Sequence, residues 1–137
     1  MKTDTKIFFI LSGACFILAS AVSAADKVPM PSTAVKLNKA QIIAAYGGKK
    51  INWSHPNGDK VYGYAVFDAT MTSNSGEWHA GKKHGSFTNA VSFDGDVYCL
   101  NKNKPGQYCA VVYQAGDTFF ENDPKTGKNQ SINKAAN

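Results

Sequence analysis

Residues 93–120, F-D-G-D-V-Y-C-L-N-K-N-K-P-G-Q-Y-C-A-V-V-Y-Q-A-G-D-T-F-F, decide the fold. They are rich in β-branched and aromatic residues and carry three turn signals: Asp94-Gly95-Asp96, Pro105-Gly106 and Ala115-Gly116. They also contain Cys99 and Cys109, with Cys15 the only other cysteine of the chain. The pattern reads as consecutive antiparallel strands stapled by one disulfide. Nine residues separate the two cysteines, so there is no C-x-x-C redox motif. The alternatives to a structural bridge are a reactive pair or metal thiolates. A bridge directly across two strands needs a loop over residues 102–106, whereas a two-residue turn at Pro105-Gly106 would set Lys102 opposite Cys109. Disulfide geometry is less forgiving than turn type, so the longer loop is expected. A three-residue loop at 94–96 would set Phe93 opposite Val97 and Val91 opposite Cys99. A loop at Ala115-Gly116 would set Val112 opposite Phe119 and Val111 opposite Phe120.

Outward from this stretch, residues 1–24 read as a secretion signal and not as part of the fold. Lys2 and Lys6 give a basic start, residues 8–21 are apolar with small interruptions, and Val22-Ser23-Ala24 offers a cleavage site after Ala24. The apolar run falls short of the ~20 residues of a spanning helix. Lipid attachment at Cys15 is the rival, but Leu11 lies one place too far away for a good lipobox. The expected location is therefore periplasmic or secreted, with no stable membrane span after signal cleavage.

Of the 137 residues, cleavage leaves 113, enough for one domain with one core. Removing Lys2, Lys6 and Asp4 from 15 basic and 10 acidic residues leaves 13 Lys against 9 acidic side chains. There is no arginine, and the lysines are scattered. Bidentate readout of phosphate or guanine favours the guanidinium fork, so the basic surface argues against a nucleic-acid partner.

Residues 25–36 hold two prolines and read as an extended arm. A short helix follows: Asn38 caps it, Gln41 completes a capping box, Leu37 and Ile42 form a staple, and Gly47-Gly48 ends it. Strands are expected at 50–54, 60–68, 76–79, 84–93 and onward, with 70–74 a turn or short edge. In 60–68, Val61, Gly63, Ala65 and Phe67 share one face; Tyr62, Tyr64 and Val66 share the other. Glycine and alanine between larger residues suit a curved sheet or a close-packed neighbour. The fold class is mainly β: a small antiparallel meander barrel or sandwich of about seven strands, with one short N-terminal helix and one disulfide. A single β-rich domain spans 37–121, and 122–137 is expected to be a polar flexible tail.

The ordered set Leu37, Gln41-Ile42, Tyr46, Gly48-Lys49, Trp53, Gly76-x-Trp78, Gly95-Asp96-x-x-Cys99, Cys109-x-x-Val112-Tyr113 and Gly116-Asp117-x-Phe119 resembles the domain-of-unknown-function 995 family. Those are small secreted proteins of Gram-negative bacteria. The resemblance covers most of the mature chain and implies a secreted β-rich module, with no catalytic residues to carry over. The chain departs from the family pattern at Asp68-Ala69, where an Asp-Gly turn would be expected.

Three constellations could carry chemistry. Glu77 and His79 share a strand face, and His84 returns opposite His79, so the three could ligate Zn²⁺ or Cu²⁺ and support a metal-dependent hydrolase. The plainer reading is exposed polar residues beside Lys82-Lys83. Asp94 and Asp96 flank Gly95 and read as turn residues. Among Trp53, Tyr62, Tyr64, Trp78, Tyr98, Tyr108 and Tyr113, some, with Trp53, Tyr62, Tyr64 and Trp78 foremost, could line a pocket for a small apolar ligand or a sugar, against ordinary sheet packing. No nucleophile elbow, phosphate loop or dinucleotide fingerprint occurs, so no catalytic residue and no cofactor is assigned. The leading expectation is a non-enzymatic domain binding a protein or an envelope component. A small-molecule-binding barrel comes next, then the hydrolase.

Overall fold

The computed structural model describes residues 28–57 and 60–137. The expected signal at 1–24 and its cleavage site lie outside them, as do Gly58 and Asp59. Nine strands and one helix are found among the described residues. They are β1 (Val35–Lys36), α1 (Lys39–Tyr46), β2 (Lys50–Ser54), β3 (Val61–Phe67), β4 (Ser73–Ala80), β5 (Lys83–Asp94), β6 (Val97–Leu100), β7 (Tyr108–Ala115), β8 (Thr118–Asn122) and β9 (Asn129–Ala135). Strands β2 to β9 pair antiparallel in chain order, and β9 returns to β2. The architecture is a closed eight-stranded meander barrel, not a sandwich. Closure leaves no open edge along its wall.

Two expectations about the ends of the chain are corrected. Residues 122–137 are not a free tail, because β9 lies between β2 and β8 and completes the wall. Its polar composition hid it: Ser131 and Asn133 are buried among polar partners, so no apolar alternation marks the strand. The described part of the expected extended arm makes a turn, with Ala34 N donating to Pro31 O, and then pairs: β1 lies on β7 beyond the end of β6, and Leu37 N–H donates to Val112 O.

Cys99 and Cys109 are directly opposite and bridged, across a connection over 101–107. Two other registers differ from expectation. Asp94 opposes Val97 and Phe93 opposes Tyr98, while Ala115 opposes Thr118 and Val112 opposes Glu121. Both turns are two-residue Gly-Asp connections, with Gly95 and Gly116 at φ 59° and 61°. Glycine takes this conformation without a Cβ penalty, so the strands close tightly around it and neither Asp94 nor Ala115 enters the loop. Strand β4 also starts earlier than expected, at Ser73. The Asp68 carboxylate accepts from Thr72 N, Ser73 N and the Thr70 and Thr72 hydroxyls, fixing the bend in front of it. The chain turns at Met71, at φ 54°.

Helix α1 plugs one barrel end. The capping box forms, with Asn38 Oδ1 accepting from Gln41 N and Gln41 Oε1 from Asn38 N, both at 2.9 Å. Lys39 N donates to Asp96 Oδ1 at 2.9 Å, tying the helix start to the β5–β6 turn. An acidic side chain there also complements the helix dipole. Ile42 and Tyr46 are fully buried among Ile51, Phe67, Tyr98 and Phe119. An eight-residue helix is marginal alone, so this burial holds it.

The interior alternates large and small side chains. Trp53, Gly63, Trp78 and Gly85 form one row across β2 to β5. A Cβ on Gly63 would stand 2.7 Å from the Trp53 ring, and one on Gly85 would stand 2.7 Å from Trp78 Nε1. The glycines therefore make room for the indoles inside a narrow barrel. No helix among the described residues is long and apolar enough to cross a membrane.

Candidate ligand-binding site

The barrel floor, just above α1, is polar. Glu121 is only 2% exposed. It comes inward from β8 because Phe119 and Glu121, two apart, share the inner face. Tyr98 and Tyr108 come inward because their neighbours Cys99 and Cys109 face outward. Tyr46 Oη at 2.8 Å, Tyr98 Oη at 2.7 Å and Asn133 Nδ2 at 2.6 Å all donate to Glu121 Oε1. Tyr108 Oη donates to Oε2 at 2.6 Å. Asn133 also donates to Tyr46 Oη and accepts from Ser131. Four donors converge on one side chain, the pattern of an acceptor-only carboxylate.

Burial pushes the Glu121 carboxyl above its ordinary range, and the three tyrosine hydroxyls and the Asn133 amide pull the other way. The hydroxyls of Tyr46, Tyr98 and Tyr108 are held well above their usual value, first by burial and then by the Glu121 charge. No cation pairs with Glu121: the salt bridges among the described residues, Lys102–Asp94 and Lys134–Asp117, lie at the surface.

Above this floor lies a cavity of about 310 Å³. Trp53, Phe87, Leu100 and Tyr108 give it apolar and aromatic walls, and Glu121 lines its base. His55 and Gly106, from connections at the end opposite α1, belong to its wall, so it faces that end. One side carries an amide ladder, with Asn101 Nδ2 donating to Asn89 Oδ1 and Asn89 Nδ2 to Asn74 Oδ1. Gln130 and Asn133 stand elsewhere on the wall. An apolar chamber with a few placed polar groups is the usual make-up of a small-molecule site.

The residues singled out in the sequence are divided between two faces. Trp53 lines the cavity. Trp78 faces inward, packed over Gly85 and outside the cavity wall. Tyr62 and Tyr64 lie on the outer face of β3, Tyr62 at 52% exposure, so they do not join Trp53 around a ligand. The reason is strand alternation: the inner positions of β3 are Gly63 and Ala65. Glu77, His79 and His84 are also on the outer face. His79 opposes His84 as expected, with ring centroids 6.0 Å apart. His79 stacks on Tyr62 at 5.1 Å. The Tyr64 hydroxyl is pushed up, first by partial desolvation and then by the charge and hydrogen bond of Glu77. No three acidic, histidine or cysteine side chains among the described residues gather for a metal ion.

Sequence reasoning missed Glu121, Tyr46 and Asn133, and it reached Tyr98 and Tyr108 only as aromatics that could line a pocket, not as partners of a carboxylate. Two signals were present. An acidic residue stands two places from Phe119 in an otherwise inward pattern, and a tyrosine precedes each bridged cysteine. Comparisons with family models, with curated proteins and with solved structures found no match to the chain.

Proposed function

We propose that the protein is a non-enzymatic binding barrel, secreted or periplasmic, that takes a small and largely apolar molecule into its interior. The cavity above Glu121 carries this reading: about 310 Å³ lies at the small end of ligand sites, which run roughly 300–1,000 Å³. The disulfide, the expected signal peptide and the resemblance to domain of unknown function 995 support an oxidising compartment. The test is a native mass spectrum of the protein purified gently from its own host, with Trp53 emission followed as small apolar solutes are added. Non-covalent added mass that leaves on denaturation, or a saturable change in emission, is expected. A bare protein that responds to none of the solutes would overturn the reading.

A second reading, binding of a protein or envelope component, rests on the outer face of β3. There Tyr62 and Val66 are 52% and 42% exposed beside the His79–His84 pair. Capture of one partner by wild type and its loss in Tyr62→Ala would support it. Equal capture by both proteins would remove it. The hydrolase reading has less support, because Glu77, His79 and His84 do not gather as a three-ligand group among the described residues.

A further inference from the structure

The lining residues of the cavity include one carboxylate, Glu121, and no lysine. This contrasts with the whole chain, whose formal net charge is +5. Glu121 Oε1 accepts three hydrogen bonds, whereas Oε2 accepts one, from Tyr108. Oε1 is thus crowded, while Oε2, with a single donor, keeps room for a second. Among the described lining residues, the side chain with a titratable nitrogen is His55, near the mouth. A carboxylate in a low-dielectric site without a positive partner is costly, and an arriving cation relieves that cost. Above the carboxylate stand the rings of Tyr108, Tyr98, Phe87 and Trp53, whose faces attract cations.

We propose that the barrel selects a compact protonated amine on an apolar body. Its ammonium donates to Oε2 of Glu121, and its body fills the aromatic chamber. A fatty acid or other anionic amphiphile is rejected, because it would set a second carboxylate against Glu121. A neutral alcohol enters but brings no charge. This inference rests on the binding reading above and adds the charge of the ligand head.

The test uses three probes of one shape: phenethylamine, phenethyl alcohol and phenylacetate. Binding is measured by calorimetry on the wild-type protein at about pH 8, where the amine is protonated. The amine is expected to bind at least about tenfold more tightly than the alcohol, and phenylacetate more weakly than both. Glu121→Gln should remove the preference for amine over alcohol. If that variant fails to fold, the order of the three probes on wild type still decides. Alcohol or phenylacetate binding as well as the amine would overturn the charge inference and leave the binding reading standing. Absence of binding by all three would overturn both.

Discussion

Tyr108 donates its hydroxyl proton to Oε2 of Glu121 at 2.6 Å, from the position next to the bridged Cys109. Tyr98, next to Cys99, donates to the other oxygen. The disulfide on the outside of the wall and the carboxylate inside are thus joined through two adjacent strands. Removing the acceptor orphans three tyrosine hydroxyl protons and leaves the Asn133 amide with Tyr46 Oη alone, whereas removing one donor leaves Glu121 with three partners. Glu121→Ala should therefore cost more than the loss of any one donor, since each buried hydroxyl left without an acceptor costs about 1–3 kcal/mol. Tyr108→Phe should cost roughly 1.5–3 kcal/mol, the range for a hydrogen bond to a charged group. Urea denaturation of both variants checks the order, and an equal cost would mean that the four bonds do not act as one network.

The same network sets the pH dependence. The folded Glu121 pKa is raised from its ordinary 4.5, so the native state holds a proton that the unfolded chain releases. That contribution is fully present below about pH 4.5 and is lost as pH rises through the folded value. Wild type should therefore lose stability relative to Glu121→Gln on going from pH 4.5 towards neutrality. Tyr46, Tyr98 and Tyr108 are also raised, from 10.0, so a second and steeper loss should begin above pH 10. Asp68 has the opposite sign. It is lowered from 3.8 to about 2 by the Thr72 hydroxyl and neighbouring donors, and its contribution disappears as pH falls through that value. Thermal melts across pH for wild type, Glu121→Gln and Asp68→Asn separate the three.

The glycine–tryptophan row predicts a steric result. A Cβ at Gly85 would meet only the Trp78 ring, which must shift. Gly85→Ala should cost about 1–3 kcal/mol, the usual range for overpacking a filled interior. Gly63→Val should be worse, because its Cβ would meet the Glu77 backbone carbonyl as well as Trp53. Melting temperatures check the order, and a neutral Gly85→Ala would show that the indole has room to move.

Local rules made much of this legible. Asn38 and Gln41 announce the helix start, and the alternation of β3 separates Gly63 and Ala65 from Tyr62 and Tyr64, though it does not say which face is inner. The cysteine pair fixes the β6–β7 register against a competing turn. What stayed hidden is non-local. Asn133 and Ser131 read as tail residues until Glu121 is seen to need them, and Glu121 reads as a strand end until three tyrosines from three elements meet it. A polar interior inverts the hydrophobic pattern from which strands are recognised. The turn errors came from counting Asp94 or Ala115 into loops that a single glycine makes short.

The bridge offers a direct stability test. Joining Cys99 to Cys109 closes a short loop, for which the chain-entropy model gives about 2–3 kcal/mol. Replacing both cysteines with alanine should lower stability by that amount without unfolding the barrel, since the ladder between β6 and β7 remains. Because Tyr98 and Tyr108 are the adjacent residues, the double variant should also loosen their hold on Glu121. Protection of the backbone amides of β6 and β7 from hydrogen exchange should fall more than that of β3 and β4.

The C-terminal segment gives the most severe outcome. Strand β9 fills the wall between β2 and β8, and Ser131 and Asn133 complete the Glu121 network from it. Removing residues 129–137 would expose two strand edges at once and leave a buried carboxylate short of a partner. An exposed edge is also a template for intermolecular pairing. The truncated chain should lose cooperative unfolding and aggregate, and should recover neither when Cys99–Cys109 is kept oxidised. Asn133→Ala tests the polar half alone: it keeps the wall and removes one donor, so the barrel should fold with a loss of roughly 1–3 kcal/mol. A truncated protein that melted cooperatively near the wild-type temperature would mean that β2 and β8 close on each other without the strand between them, and that the barrel does not need its last segment.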